Sequence, residues 1–268
     1  MFKKFLVKLF GPDWYIHHVA YYSELYQSLF RSHSLRESGI KLIPKIIARG
    51  DVVLDIGANI GKFTSFSARL TGEKGRIYAF EPVEMPRKVL AKMVSLKNLR
   101  QVKVFDVGLS DSSRPGKMVI PLRDGWRPLS MLAHTRFSQS ALPNKGEIIR
   151  EVQLAALDEF LKKQNIQKVD FIKCDVEGHE FFVFSGAQDT LMKYRPTVFC
   201  EVDESYLKRN NIKTGQLFRL FKNLGFGSYL AEKSEKGLRR VDGYQGATDY
   251  FFIHESKVEA VSEKIPVV

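Results

Sequence analysis

Asp51 to Gly61, DVVLDIGANIG, constrains this chain more than any other stretch. Val52, Val53 and Leu54 form a short apolar run of the kind buried inside a parallel sheet, and Asp55 falls where that strand ends. Gly57 and Gly61 then permit a tight turn and close backbone approach, after which Lys62 to Leu70 continues as a helix. Open α/β sheets bind ligands beyond the carboxyl ends of their strands. The run therefore predicts where a cofactor crevice begins.

The pattern around it alternates regularly. Strands are predicted at 52–56, 76–80 and 102–106, with helices from about 35 to 48, at 62–71 and at 86–96, which is βαβαβ. Prolines and glycines interrupt the rhythm over 111–150 and predict a hairpin with a long excursion, the usual place of a binding loop. Alternation resumes with strand 149–153, helix 156–163, strand 169–174, helix 179–192, strand 197–202, helix 214–223 and strands 226–230 and 249–253. A chain of 268 residues with 44% hydrophobic content suits one large α/β domain over 36–254. Residues 1–35 are predicted as an N-terminal helical extension. Residues 255–268 form a charged tail with no evident packing face.

The segment MFKKFLVKLF is a basic amphipathic helix by its spacing, suited to packing on the domain or a second subunit, or to peripheral contact with an anionic membrane through residues 1–10. A homo-oligomer is therefore left open. No apolar stretch is long enough to span a bilayer. Cys174 and Cys200 sit in apolar runs and read as buried small hydrophobes, which fits a reducing, cytoplasmic setting, membrane-peripheral in the alternative. The net charge of +12 favours anionic partners in general. Without zinc-finger spacing, an RNA-recognition signature or a dense basic block with interleaved aromatics, it does not point to nucleic acid.

Glu81 ends the strand RIYAFEP, where a carboxylate can accept both hydroxyls of a ribose. A glycine turn followed by an acidic residue also describes a dinucleotide-dependent oxidoreductase or epimerase. The spacing Gly57-Ala58-Asn59-Ile60-Gly61, however, lacks the G-x-G-x-x-G pattern that brings amides onto a pyrophosphate. S-adenosylmethionine fits better, with its ribose on Glu81, its adenine near Asp106 and its cationic methionine end near carboxylates. A second acidic strand end follows VDFIK: Asp175, Glu177 and His179 cluster where chemistry is expected. One of them is suited to take a proton from an attacking hydroxyl, or carboxylates there to hold a divalent metal, although no metal is assigned. Asp175 and Glu177 also read as helix-capping acids. Glu201 and Asp203, at the end of TVFCEVD, are placed to line the same crevice.

DIGANIG, FEP and IKCDVEGHE together resemble the FkbM family of S-adenosylmethionine-dependent methyltransferases, over roughly 36–254, with DVEG-x-E the more specific mark. The resemblance implies a class I methyltransferase, Rossmann-like α/β fold: a seven-stranded, mostly parallel sheet with an antiparallel last strand and helices on both faces. It also implies O-methylation of hydroxyls on sugars or natural products. By position, Asp55, Gly57, Asn59 and Gly61 would line the methionine end of the cofactor, Glu81 the ribose, and Asp106 or its neighbours the adenine. Asp175 and Glu177 would face the transfer site, with His179 and Asp175 as competing bases. The segment GWRPLSML, containing Ser130, would form a substrate or cofactor loop. Because fold does not guarantee activity, a peripheral membrane scaffold on the same fold is the alternative from another class.

Overall fold

The apolar run before the glycine turn becomes β1 (Val52–Ile56), and in the computed structural model its side chains alternate between two buried faces. The structure describes residue 25 and residues 38–123, 127–128, 134–136, 147–233 and 236–268. Leu54 and Ile56 pack on one side of the sheet with Ile172, Cys174, Val198 and Cys200, while Val53 packs on the other with Ile77, Phe171 and Phe199. A period of two with both faces covered is what a central parallel strand requires.

The chain continues through α1 (Lys62–Thr71), β2 (Arg76–Phe80), α2 (Glu84–Leu96) and β3 (Val102–Phe105), then β4 (Val107–Ser110) and β5 (Arg114–Arg123). Short strands β6 (Arg127–Pro128) and β7 (His134–Arg136) precede β8 (Glu147–Ala156), α3 (Leu157–Lys163) and β9 (Phe171–Cys174). Next come α4 (Glu180–Ser185), α5 (Gln188–Tyr194), β10 (Thr197–Glu201), α6 (Glu204–Arg209) and α7 (Thr214–Asn223). The closing elements are β11 (Phe226–Ala231), β12 (Leu238–Val241), β13 (Asp249–His254) and α8 (Val258–Ser262).

The main sheet has eight strands in the order β12-β11-β13-β10-β9-β1-β2-β3. β1, β2, β3, β9 and β10 pair in parallel, and β13 runs antiparallel to both neighbours. This is the class I methyltransferase arrangement, with β12 added at the edge. From β1 the chain steps outward to β2 and β3, then returns to β9 on the other side of β1. The strand order reverses between β1 and β9, and that switch point is where an α/β sheet opens a crevice. The excursion forms a second sheet, in which β5 and β8 pair antiparallel and β4 flanks β8 in parallel. Met118, Ile120, Val152 and Leu154 of this sheet pack with Val83 at the start of α2.

Several expectations change in detail. The strand predicted over 102–106 breaks at the exposed Asp106. The helix predicted over 179–192 splits at Gly186, because β4 passes so close that a Cβ there would lie 2.1 Å from the Ser110 carbonyl oxygen. Of the early helix, the described part from residue 38 holds a 3-10 turn at Ile40–Leu42 and one α-helical turn at Ile43–Ile46. The tail is not free of the domain: Val261 and Ile265 enter the core. Leu238 N donates to the Pro266 carbonyl at 2.8 Å, which ties the tail to the edge strand. Apolar residues four apart suffice to give so short a helical segment a packing face. Both cysteines are buried and unbridged. Among the described residues no helix is long and apolar enough to cross a membrane. Residues 1–35, including the amphipathic segment 1–10, and Ser130 lie outside the described residues, except Leu25, which packs beside Ile60, Met85 and Val89.

Among the described glycines Gly57 leaves the least room for a side chain, since its φ is +76° and a Cβ would lie 1.9 Å from the Asp175 carbonyl oxygen. Gly57→Ala is expected to lower stability by about 2–4 kcal/mol, from left-handed strain plus overpacking, as read by urea unfolding.

Candidate active site

The cavity at the switch point is lined by Gly57, Asn59, Glu81, Val107, Gly108, Leu109, Met118, Leu154, Asp175, Glu177 and His179, among others. Its first wall is the turn after β1. The N–H groups of Gly57 and Ala58 both donate to the Phe80 carbonyl, at 3.1 and 3.0 Å, and so tie the turn to β2. Asn59 and Gly61 adopt φ of 51° and 85°. At Gly61 the absent Cβ makes room for Leu90 and Met93 of α2, whose side chains would lie 2.5 Å from it. Glu81 folds back over this turn: Oε2 accepts from Asn59 N at 2.9 Å and Oε1 from Val83 N at 2.8 Å. Burial pushes the Glu81 carboxyl up to about 7, while those two N–H groups pull the other way.

Three residues of the predicted cofactor set do not line this cavity: Gly61, which faces Leu90 and Met93 of α2, Asp55 and Asp106. Asp55 is fully buried behind the turn, where its Oδ2 accepts from Thr64 Oγ1 of α1 at 2.5 Å, and it is not part of the cavity lining. Asp106 is exposed at the break between β3 and β4, while its neighbours Val107, Gly108 and Leu109 face the cavity.

The opposite wall comes from the carboxyl ends of β9 and β10. Lys173, buried in β9, donates to Asp175 Oδ2 at 3.0 Å and to the Gly57 carbonyl at 3.3 Å, linking the two strand ends. Glu201 is pushed up to about 10 by burial and by the adjacent Asp175 charge. Burial and that charge favour its protonated form, which is suited to share a hydrogen bond with Asp175. Burial alone would raise Asp175, but Lys173 and this bond hold it below the usual carboxylate range. Glu177 is pushed up to about 8 by burial, with Asp175 and Glu180 adding to the effect. Its Oε2 is buried and makes no hydrogen bond among the described residues.

Asp175, Glu177 and Glu201 each bring a carboxylate oxygen within 4.8 Å of the others. Such an oxygen set suits a hard cation. Here the Lys173 ammonium and the proton of Glu201 already offset the charge of Asp175.

His179 also lines the cavity, but its ring is 2% exposed, stacks on Phe182 with centroids 4.9 Å apart, and places Nε2 3.0 Å from Ser110 Oγ. Ser110 gives its proton to Asp111 Oδ1 at 2.8 Å, so Nε2 carries the imidazole hydrogen. Burial pushes His179 down to about 3, and the ring is neutral near pH 7. Lys173, Ser110 and Glu180 carry weight that sequence reasoning passed over. A lysine inside the apolar strand FIKC was the available signal for Lys173. Ser110 comes from 69 residues away and has no local signal.

Glu81, Glu177, Glu180 and Glu201 all have native pKa values raised above the ordinary carboxylate value. The native state therefore binds more protons than the unfolded chain once pH passes about 4.5, and stability falls as pH rises toward the native values. Between about pH 7.5 and 8.5, where His179 is neutral in both states, stability is expected to fall by up to about 1.4 kcal/mol per pH unit for each carboxyl still protonated. Denaturant melts at several pH values measure this, and Glu201→Gln is expected to flatten the slope.

Residues 55–227 match the family model described as the Methyltransferase FkbM domain. The AMB antimetabolite synthetase AmbE of Pseudomonas aeruginosa is 26% identical over 90% of this chain and 12% of its own length. The 31-O-demethyl-FK506 methyltransferase FkbM of Streptomyces tacrolimicus is 28% identical over 62% of this chain and 68% of its own. The hexuronic acid methyltransferase AglP of Haloferax volcanii is 27% identical over 62% of each. The chain thus spans about an eighth of the synthetase and roughly two thirds of the other two relatives.

Proposed function

The chain belongs to the methyltransferase FkbM domain family, and from that membership we propose that it binds S-adenosylmethionine between β1 and β9 and transfers the methyl group to a hydroxyl oxygen. The observation that carries this reading is one cavity with a glycine turn and a buried Glu81 on one side and Asp175 and Glu177 on the other. The donor set fits the ligand. A carboxylate held by two N–H groups keeps lone pairs for a ribose diol. Val107, Leu109, Met118 and Leu154 offer an apolar wall for a purine, in preference to Asp106. Gly57 and Asn59 offer a close backbone approach for the methionine end, while Asp55 and Gly61 support that turn from behind.

When bound, S-adenosylmethionine supplies an electrophilic methyl group on a sulfonium sulfur. Asp175, held by Lys173 and Glu201, provides a fixed negative potential at the strand end. Glu177, which lines the cavity, would accept the proton of the acceptor hydroxyl as that oxygen receives the methyl group. A carboxyl near pKa 8 is well matched to that task once ionised. His179, neutral and bonded to Ser110, orients the wall and is not the base. The acceptor class is a hydroxyl on a sugar or natural product, as the names of the FkbM and AglP relatives suggest.

Calorimetric titration is expected to give micromolar binding of S-adenosylmethionine, weakened about ten- to a hundredfold by Glu81→Ala, the range for a lost charge-assisted bond. No heat with folded wild-type protein would overturn the proposal. A mass screen of glycosides and natural-product alcohols for gain of one methylene identifies the acceptor.

A further inference from the structure

We infer that Glu180 is a positioning residue that holds Glu177 at the transfer site, an assignment that rests on Glu177 acting as the base. Val176, Glu177 and Gly178 connect β9 to α4, and Glu177 and Gly178 adopt φ of 55° and 96°. Left-handed backbone is unfavourable for a glutamate, so something must hold it there. Glu180 turns back from the first residue of α4, and its Oε1 accepts from both Val176 N at 3.1 Å and Gly178 N at 3.2 Å. The two bonds grip the backbone on either side of Glu177. Just past the C-terminus of α6, Asn210 Nδ2 donates to the Gly178 carbonyl at 2.9 Å and holds the loop from outside.

The arrangement differs from an ordinary helix cap. The residue before α4 is His179, which makes no side-chain capping bond, and both N–H groups taken by Glu180 belong to the preceding loop. Glu180 is 1% exposed and does not line the cavity, whereas Glu177 does. Glu180 is thus placed to act on the reaction through Glu177 and not on a ligand. A Cβ at Gly178 would lie 2.4 Å from the Tyr206 carbonyl oxygen, so α6 also bars the loop from relaxing outward.

Hydrogen–deuterium exchange on the full chain without ligand reads the clamp directly. In Glu180→Ala the peptide spanning 175–179 is expected to exchange at least about tenfold faster while β1 and β2 are unchanged. Glu180→Gln keeps an acceptor oxygen for the same two N–H groups and is expected to exchange like wild type. With the acceptor found by the mass screen, Glu180→Ala is expected to lower kcat about ten- to a hundredfold while the S-adenosylmethionine KM stays within about twofold, and Glu180→Gln to restore kcat. If Glu180→Ala does not fold, Asn210→Ala loosens the same loop from the other side and carries the same expectation. Wild-type exchange and wild-type kcat in the loosened variants, beside an impaired Glu177→Gln, would overturn this inference alone. Wild-type turnover in Glu177→Gln would instead overturn the base assignment and with it the catalytic role of the clamp.

Discussion

Two strand-end turns meet backbone to backbone at Gly57 and Asp175, and the rest of the site depends on that contact. No side chain fits between them, because a Cβ on Gly57 would overlap the Asp175 carbonyl. Lys173 fastens the junction by donating to the Gly57 carbonyl and the Asp175 carboxylate together. The parallel registers of β1 with β2 and of β1 with β9 deliver these turns to the same level of the sheet. Glu81 and Glu177 consequently face one cavity from opposite walls.

Bringing so many carboxyls into one buried place has an electrostatic consequence. Desolvation raises Glu81, Glu177, Glu180 and Glu201, and the single ammonium of Lys173 goes to Asp175. The groups therefore separate by role. Asp175 stays ionised, Glu201 stays protonated, and Glu177 sits near neutrality, where gaining and losing a proton are both accessible. This division of titration among neighbouring acids is a common signature of a reactive site. Here it arises from burial depth and from which acid the lysine reaches.

The parts of this arrangement encoded locally were legible in the sequence. Strand β1, its glycine turn and the acids Glu81, Asp175 and Glu177 stand at the ends of apolar runs, and the α/β class follows from their alternation. Both faces of the main sheet are buried, as the lack of polar alternation in its apolar strands implied. What depends on distant packing was not legible. The burial of His179 and its contact with Ser110, which comes from β4 and 69 residues away, had no local signal. Asp106 sits one residue before the cavity wall because the strand breaks there and turns its side chain to solvent. Asp55 ends its strand buried against Thr64, so its strand-end position gave no measure of ligand access. The tail found its place through Val261 and Ile265, too short a pattern to read beside its charges.

A crystal structure with S-adenosylhomocysteine tests most directly whether the junction of β1 and β9 is a cofactor site. The ribose hydroxyls are predicted to bond Glu81, with the methionine end against Gly57 and Asn59 and the sulfur directed toward Asp175 and Glu177. A ligand bound elsewhere, or one lying in the crevice without touching Glu81, would contradict it.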